Sequence, residues 1–220
     1  MPITIKKEEL LLVEGKDEVN FFSALLNDCN IQDVQIIEVG GKDKFKSELP
    51  ALINLEGFSN VKSYAIIRYA DNDSKATLSS IQNLLSKHNQ PVPNDCGEFI
   101  DKNGIRVGIY IVPGNKTEGM LENLCLDTLE NHPVLQCVDQ YLSCLEENLD
   151  KEVDGENKEE GKHYFPRNRP KARMHAFIAG QNKFVPSLGL AAKKGYFNLR
   201  AEVLSDLRRF IKKLKNAQYS

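Results

Sequence analysis

Short apolar runs alternate along this chain with segments whose apolar residues recur every three or four positions. The apolar runs predict buried strands at 10–13, 34–39, 63–67 and 106–112. The segments between them predict helices over 17–27, 43–55 and 75–88, with Asp17 as the N-cap of the first. Such alternation of strands and helices predicts an α/β fold built on a parallel sheet with right-handed crossovers.

The pattern changes after the fourth strand. A turn at 101–104 predicts a hairpin between 98–100 and 106–112, and a helix is expected to start at Thr117. Further helices are predicted over 133–149, 169–179 and 199–216, with a glycine-containing connection at 180–195. We therefore expect an α/β domain over residues 1–130 and a helical extension over 131–220.

Charge is distributed unevenly along the 220 residues, although the net charge is only −2. Residues 150–161 form an acidic, highly charged stretch that predicts a linker, whereas residues 161–220 carry 14 Lys and Arg against two acidic residues. This basic lobe favours a phosphate-rich partner such as nucleic acid, or else it docks on the acidic stretch before it. The candidate phosphate contacts are Arg167, Arg169, Lys171, Arg173, Lys193 and Lys194.

Several classes of protein are disfavoured by the sequence. No apolar run approaches the roughly 18 residues of a membrane span, and residues 1–7 lack the apolar core of a signal peptide. The five cysteines contain no C-x-x-C pair, so neither a disulfide framework nor a zinc site is indicated. We expect a cytoplasmic protein without a membrane partner.

Carboxylates follow the predicted strands at the edge where parallel sheets bind ligands. Glu14 follows the first strand, and Asp71 and Asp73 follow the third. Glu122 reaches the same edge from a later helix, and Glu118 is a further acidic candidate there. One or two carboxylates with waters and substrate phosphates suffice for Mg²⁺, so the sequence predicts a hard-cation site for Mg²⁺ or Mn²⁺.

Two cations and a further acid accompany these carboxylates. Lys16 is a candidate phosphate contact or solvated lysine, and Arg68 could pair with Glu14 or Asp71 or touch a substrate. Asp17 is a further acidic candidate. The Gly-Lys steps at 15–16 and 41–42 lack the earlier glycine that a P-loop requires, so a P-loop ATPase is excluded.

Together, Val13-Glu14-Gly15-Lys16-Asp17 after the first strand and the Asp-x-Asp at 71–73 after the third resemble the Toprim family. Toprim domains occur in topoisomerases, bacterial primases, recombination mediators and OLD-type nucleases. The resemblance covers most of residues 8–130. The segments 119–124 and 195–199 further resemble small stand-alone Toprim-like bacterial proteins, mostly without an assigned function.

The resemblance implies a Mg²⁺-dependent nuclease or related phosphodiester-transfer enzyme. Glu14 would be the general acid/base or a metal ligand, assisted by Lys16, while Asp71 and Asp73 would hold the metal ion. One departure matters, because related proteins tend to carry an Asp where this chain has Tyr69. Asp71 would then be the second aspartate of the motif and Asp73 an additional carboxylate.

The departure at Tyr69 leaves an alternative function open. The chain could be a catalytically impaired Toprim scaffold that binds nucleic acid or protein. It could also be the effector partner of a separate ATPase in a defence system, because Toprim nucleases are often coupled to one and this chain has no P-loop. A second copy of the chain is a further candidate partner.

Overall fold

A five-stranded sheet lies at the centre of the computed structural model, which describes residues 3–114, 118–152, 166 and 168–215. The strands, in chain order, are β1 (Glu9–Val13), β2 (Val34–Glu38), β3 (Ser63–Tyr69), β4 (Phe99–Lys102) and β5 (Ile105–Val112). Their order across the sheet is β2-β1-β3-β5-β4. All neighbours are parallel except β4, which pairs antiparallel with β5. The predicted α/β fold with a mostly parallel sheet is confirmed.

Helices cover both faces of the sheet. They are α1 (Lys16–Asp28), α2 (Phe45–Ile53), α3 (Ser74–Lys87), α4 (Leu121–Asp127), α5 (Pro133–Glu152), α6 (Arg169–Ala179), α7 (Leu188–Lys193) and α8 (Ser205–Lys215). Among the described residues, no helix combines the length and hydrophobicity needed to cross a bilayer.

Alternate residues of each strand enter two separate cores. Leu11 and Val13 of β1 pack in the core with α1 and α4 and with α6–α8. Leu10 and Leu12 face the opposite way, into the core formed with α2 and α3. Because side chains alternate along a strand, consecutive residues at a strand end also point to opposite layers.

The helices beyond residue 131 share the first of these cores with the sheet. Phe210 of α8 is buried and stacks on Phe99 of β4, with ring centroids 4.6 Å apart. The Ser63 hydroxyl at the start of β3 donates a buried hydrogen bond of 2.7 Å to the carbonyl oxygen of Leu214. The central strand β3 and the last described helix are therefore joined inside the protein.

Several local predictions were wrong. The N-cap of α1 is Gly15, and Asp17 lies inside the helix. Helix α4 starts at Leu121, after the predicted Thr117, because the backbone of Gly119 pairs with that of Asp71. The short helix α7 was not expected in the connection 180–195. The last helix starts at Ser205, after a 3-10 turn at Glu202–Leu204, later than expected.

The predicted linker at 150–161 is only partly described. Residues 150–152 continue α5, and residues 153–161 lie outside the described part of the chain. The docking of that stretch on the basic lobe stays a prediction.

Candidate active site at the carboxyl edge of the sheet

Glu14 and Arg68 form an ion pair across the ends of β1 and β3. The Arg68 Nε donates to Glu14 Oε1 at 2.7 Å, and only 10% and 15% of the two side chains are exposed. The guanidinium also lies over the ring of Phe45 in α2, 5.0 Å from its centroid. Arg68 is thus held by a carboxylate and an aromatic ring. Of the roles considered for Arg68, the structure supports pairing with Glu14.

Burial raises the pKa of Glu14 above its ordinary value. The hydrogen bond and charge of Arg68 act in the opposite direction without cancelling the desolvation, and the backbone NH of Tyr69 gives a smaller opposing contribution. A carboxylic acid with a raised pKa is suited to proton transfer. Glu14 therefore has one property expected of a general acid or base.

Tyr69 points away from Arg68, into the layer that contains α1. Its hydroxyl donates to Glu18 Oε1 at 2.5 Å, and its side chain belongs to the first core. Burial raises the pKa of the Tyr69 phenol well above its usual value, and the negative charges of Glu18, Glu14 and Glu122 add to this effect. The phenol therefore stays protonated and serves as a donor to Glu18.

Asp71 lies in the loop after β3 and is paired with Lys42. The Lys42 Nζ is 3.1 Å from Asp71 Oδ2, and both side chains are well exposed. The backbone of Asp71 has φ +49° and exchanges two hydrogen bonds with Gly119, which follows the exposed Glu118. The loops after β2, β3 and β5 thus meet beside Glu14.

Asp73 has a structural role. It is the N-cap of α3, where its Oδ1 accepts from the backbone NH groups of Lys75 and Ala76 at 2.9 and 3.0 Å. Such caps contribute about 1 kcal/mol to stability. We assign Asp73 to helix capping.

A cleft of about 740 Å³ opens beside these loops, between α1, α4, α6 and the start of α7. We call it the side cleft. Its lining includes three predicted site residues, Lys16, Asp17 and Glu122, together with Lys171 of the basic lobe. Asp17 Oδ1 accepts from the backbone NH of Gly189 at 3.2 Å, so this carboxylate connects α1 to α7.

The other predicted phosphate contacts are dispersed. Arg173 binds Asp139 of α5 through two hydrogen bonds of 2.6 and 2.7 Å, and Arg169 pairs with Glu146 at 3.1 Å. These two arginines are thus engaged by acidic residues of α5, which lie before the acidic stretch 150–161. Lys193 lines another groove, between α1 and β2, and Lys194 is exposed at the end of α7. Arg167 lies outside the described residues.

Carboxylate oxygens at the predicted metal site accept hydrogen bonds from the protein itself. Among the described residues, no group of three or more His, Cys, Asp or Glu is arranged to hold a metal ion. Glu14 Oε1 accepts from Arg68, Asp71 Oδ2 from Lys42, and Asp73 Oδ1 from a helix end. The side chain at position 69 is a buried phenol. In this arrangement the residues do not fit a carboxylate metal centre.

Two residues of the site were missed from sequence. Glu18 lies on α1, and its hydrogen bond with Tyr69 depends on how α1 packs beside the end of β3, which local sequence does not show. Lys42 was considered only as part of a P-loop, and its pairing with Asp71 depends on the neighbouring positions of β1, β2 and β3.

The fold and the site define a class: an open, mostly parallel α/β protein whose polar groups gather at the carboxyl edge of the sheet, where such sheets bind ligands. A family model described as "Protein of unknown function (DUF3226)" matches residues 8–216. The chain belongs to this family. No curated protein matches it.

Solved structures resemble this fold at low sequence identity. A hypothetical protein from Pyrococcus horikoshii OT3 is 19% identical, with a TM-score of 0.53 over 95% of each chain. The C-terminal region of the OLD protein of Burkholderia pseudomallei is 14% identical, with a TM-score of 0.48 over 96% of this chain and all of that one. The C-terminal region of the OLD protein of Xanthomonas campestris pv. campestris is 13% identical, with a TM-score of 0.46 over 94% of this chain and 95% of that one.

Proposed function

We propose that this chain is a Toprim-type domain that binds nucleic acid through its phosphates at the carboxyl edge of the sheet, without a resident metal ion. The observation that carries the proposal is that two carboxylates at this edge are paired with cations of the protein. Arg68 neutralises Glu14, and Lys42 neutralises Asp71. A phosphate that approaches this edge therefore meets carboxylates whose charges are already balanced.

The two ion pairs differ in how readily they can change partners. Arg68 is nearly buried and is fixed by Glu14 and Phe45. Lys42 is largely exposed, and exposed ion pairs contribute little to stability, so its ammonium can leave Asp71 for a phosphate at low cost. Lys42 is thus the proposed mobile phosphate contact, whereas Arg68 stays paired with Glu14.

The test is binding of a fluorescently labelled oligonucleotide, measured by anisotropy in EDTA over a range of salt concentrations. We expect binding without Mg²⁺ and with affinity that falls as salt rises. Lys42→Ala should weaken binding about three- to tenfold and lower the salt slope by about one. Lys87→Ala is the matched control, since this exposed lysine lies at the far end of α3 from the site.

Two results would contradict the proposal. One is a Lys42→Ala variant that binds like Lys87→Ala. The other is wild-type binding that appears only when Mg²⁺ or Mn²⁺ is added, because a resident divalent ion would then be required.

A second candidate function is Mg²⁺- or Mn²⁺-dependent nuclease activity. It is favoured by the raised pKa of Glu14 and by the charge of Asp71, which is near enough to raise that pKa further. Glu14 would have to give up its pairing with Arg68 to hold an ion. Metal-dependent cleavage of DNA or RNA by the wild type, lost in Glu14→Gln, would establish this candidate in place of the first.

Divalent-ion binding by the wild type separates the two candidates further. The second candidate requires the wild type to bind Mg²⁺ or Mn²⁺, which calorimetry measures directly. The first candidate expects the wild type to bind neither ion. An ATPase partner and a second copy of the chain stay predictions, to be tested by co-purification and by the mass of the protein in solution.

A further inference from the structure

We infer that the side cleft takes one unpaired nucleotide of a single-stranded nucleic acid. This inference rests on the proposed function and names its substrate class. The cleft lies next to the strand ends because α1 starts immediately after Glu14 and forms one of its walls. Its volume of about 740 Å³ lies within the usual range for small-molecule sites.

The charged groups that line the side cleft leave cations available to a phosphate. Lys16 and Lys171 reach it from the first turns of two different helices, and both are exposed. Of the acids, Asp17 accepts from the Gly189 backbone and Glu18 accepts from the Tyr69 hydroxyl. Within the described part of the chain, neither Lys16 nor Lys171 is held in an ion pair, so both ammonium groups are available to a phosphate.

The remaining lining matches the rest of a nucleotide. Pro186 and Leu190 present apolar surface on one side, suitable for the face of a base. Glu122 is a carboxylate acceptor for sugar hydroxyl or base amino groups, and it would repel a phosphate placed beside it. A ligand with an anion at one end, a flat apolar part and hydrogen-bond donors satisfies all three features.

The geometry favours a single strand over a duplex. Bases in a duplex are stacked and paired, and they enter a protein cavity only after unstacking, which costs a few kcal/mol. An unpaired nucleotide enters without that cost. The rest of the single-stranded nucleic acid can then run from the cleft past the carboxyl ends of the β-strands, where Lys42 is the proposed contact.

The experiment compares a labelled 12-nucleotide single strand with the same strand in a blunt duplex, by anisotropy at low salt without added metal. We expect the single strand to bind at least about tenfold more tightly, since a duplex must first unstack a base. Lys171→Ala should weaken single-strand binding about three- to tenfold and leave duplex binding unchanged. Lys194→Ala is the matched control, because it is an exposed lysine of the same lobe outside the cleft.

Equal affinity for both substrates, or a Lys171→Ala variant indistinguishable from Lys194→Ala, would overturn the inference. Free AMP that binds as tightly as the strand would also overturn it, since the cleft would then be a mononucleotide site. If Lys42→Ala weakens binding while Lys171→Ala does not, the cleft assignment fails and the proposed function stands. Absence of binding to any oligonucleotide refutes both.

Discussion

Tyr69 and Glu18 are joined by a hydrogen bond of 2.5 Å between the end of a central strand and the first helix. The phenol occupies the strand-end position at which the Toprim resemblance leads one to expect a carboxylate, and it points into the core. The contact therefore connects β3 to α1 at the entrance of the site and gives the side chain at position 69 a structural role.

Tyr69→Phe should lower the free energy of unfolding by about 1–3 kcal/mol, because Glu18 loses a largely buried donor. Urea denaturation at pH 7 measures this change. Tyr141→Phe is the control, since that side chain is 56% exposed on α5 and should cause no change. Equal losses in the two variants would show that the Tyr69 hydroxyl is not specifically coupled to Glu18.

Arg68→Met should lower the free energy of unfolding by about 3 kcal/mol, because it leaves the carboxylate of Glu14 buried without its partner. Lys42→Met breaks the exposed pair with Asp71 in the same site and should leave the stability almost unchanged. Thermal or urea denaturation of both variants provides the comparison. If both changes had the same effect, burial would not distinguish the two ion pairs.

The stability contribution of Glu14 should decrease with rising pH. Its pKa is raised in the folded protein, so the unfolded chain releases the proton first, and stability is lost as pH rises from about 4.5 through the raised value. The free energy of unfolding of the wild type relative to Glu14→Gln should therefore fall over this range. Urea titrations at several pH values measure the slope.

Asp28 provides a control of opposite sign. Its pKa is lowered, chiefly by the hydrogen bond from Arg208, so its contribution is present above pH 3.8 and is lost as pH falls through the lowered value. The wild type relative to Asp28→Asn should thus become less stable on acidification. If the free energy of unfolding changed with pH in the same direction for both residues, the opposite pKa shifts of Glu14 and Asp28 would be contradicted.

The cysteines should differ in their reaction with a thiol reagent. Cys137 and Cys144 are exposed on α5, whereas Cys125 is fully buried, and burial raises the pKa of its thiol well above the usual value. Under native conditions Cys137 and Cys144 should react first, and Cys125 only after denaturant is added. The double variant Cys137→Ser/Cys144→Ser should remove the fast phase, and a fast phase that persists would place another thiol at the surface.

The strands that organise the sheet could be predicted because their burial is nearly complete. Leu10–Val13 has no exposed side chain, and such a run is typical of a parallel strand covered on both faces. The apolar pattern ends β3 two residues early, because the polar residues Arg68 and Tyr69 follow the apolar run. They are buried because Glu14 and Glu18 provide partners, which local sequence does not reveal.

The candidate site was predicted only as a collection of residue types. Glu14 and Asp71 follow neighbouring parallel strands, which end on the same side of the sheet. The direction of each side chain and the identity of its partner depend on contacts between distant segments. For the same reason, the positive charge of residues 161–220 did not reveal that Arg169 and Arg173 are paired with α5.

The buried hydrogen bond between Ser63 and Leu214 bears on how this protein is made. These residues are 151 positions apart, and the sheet face covered by α8 stays bare until residue 214 has emerged from the ribosome. A nascent chain would expose Tyr110 and its apolar neighbours on β5 until α8 packs on them, and such surface promotes aggregation. The first core is therefore completed only after α8 has been made, later than α6 and α7, which form a wall of the side cleft.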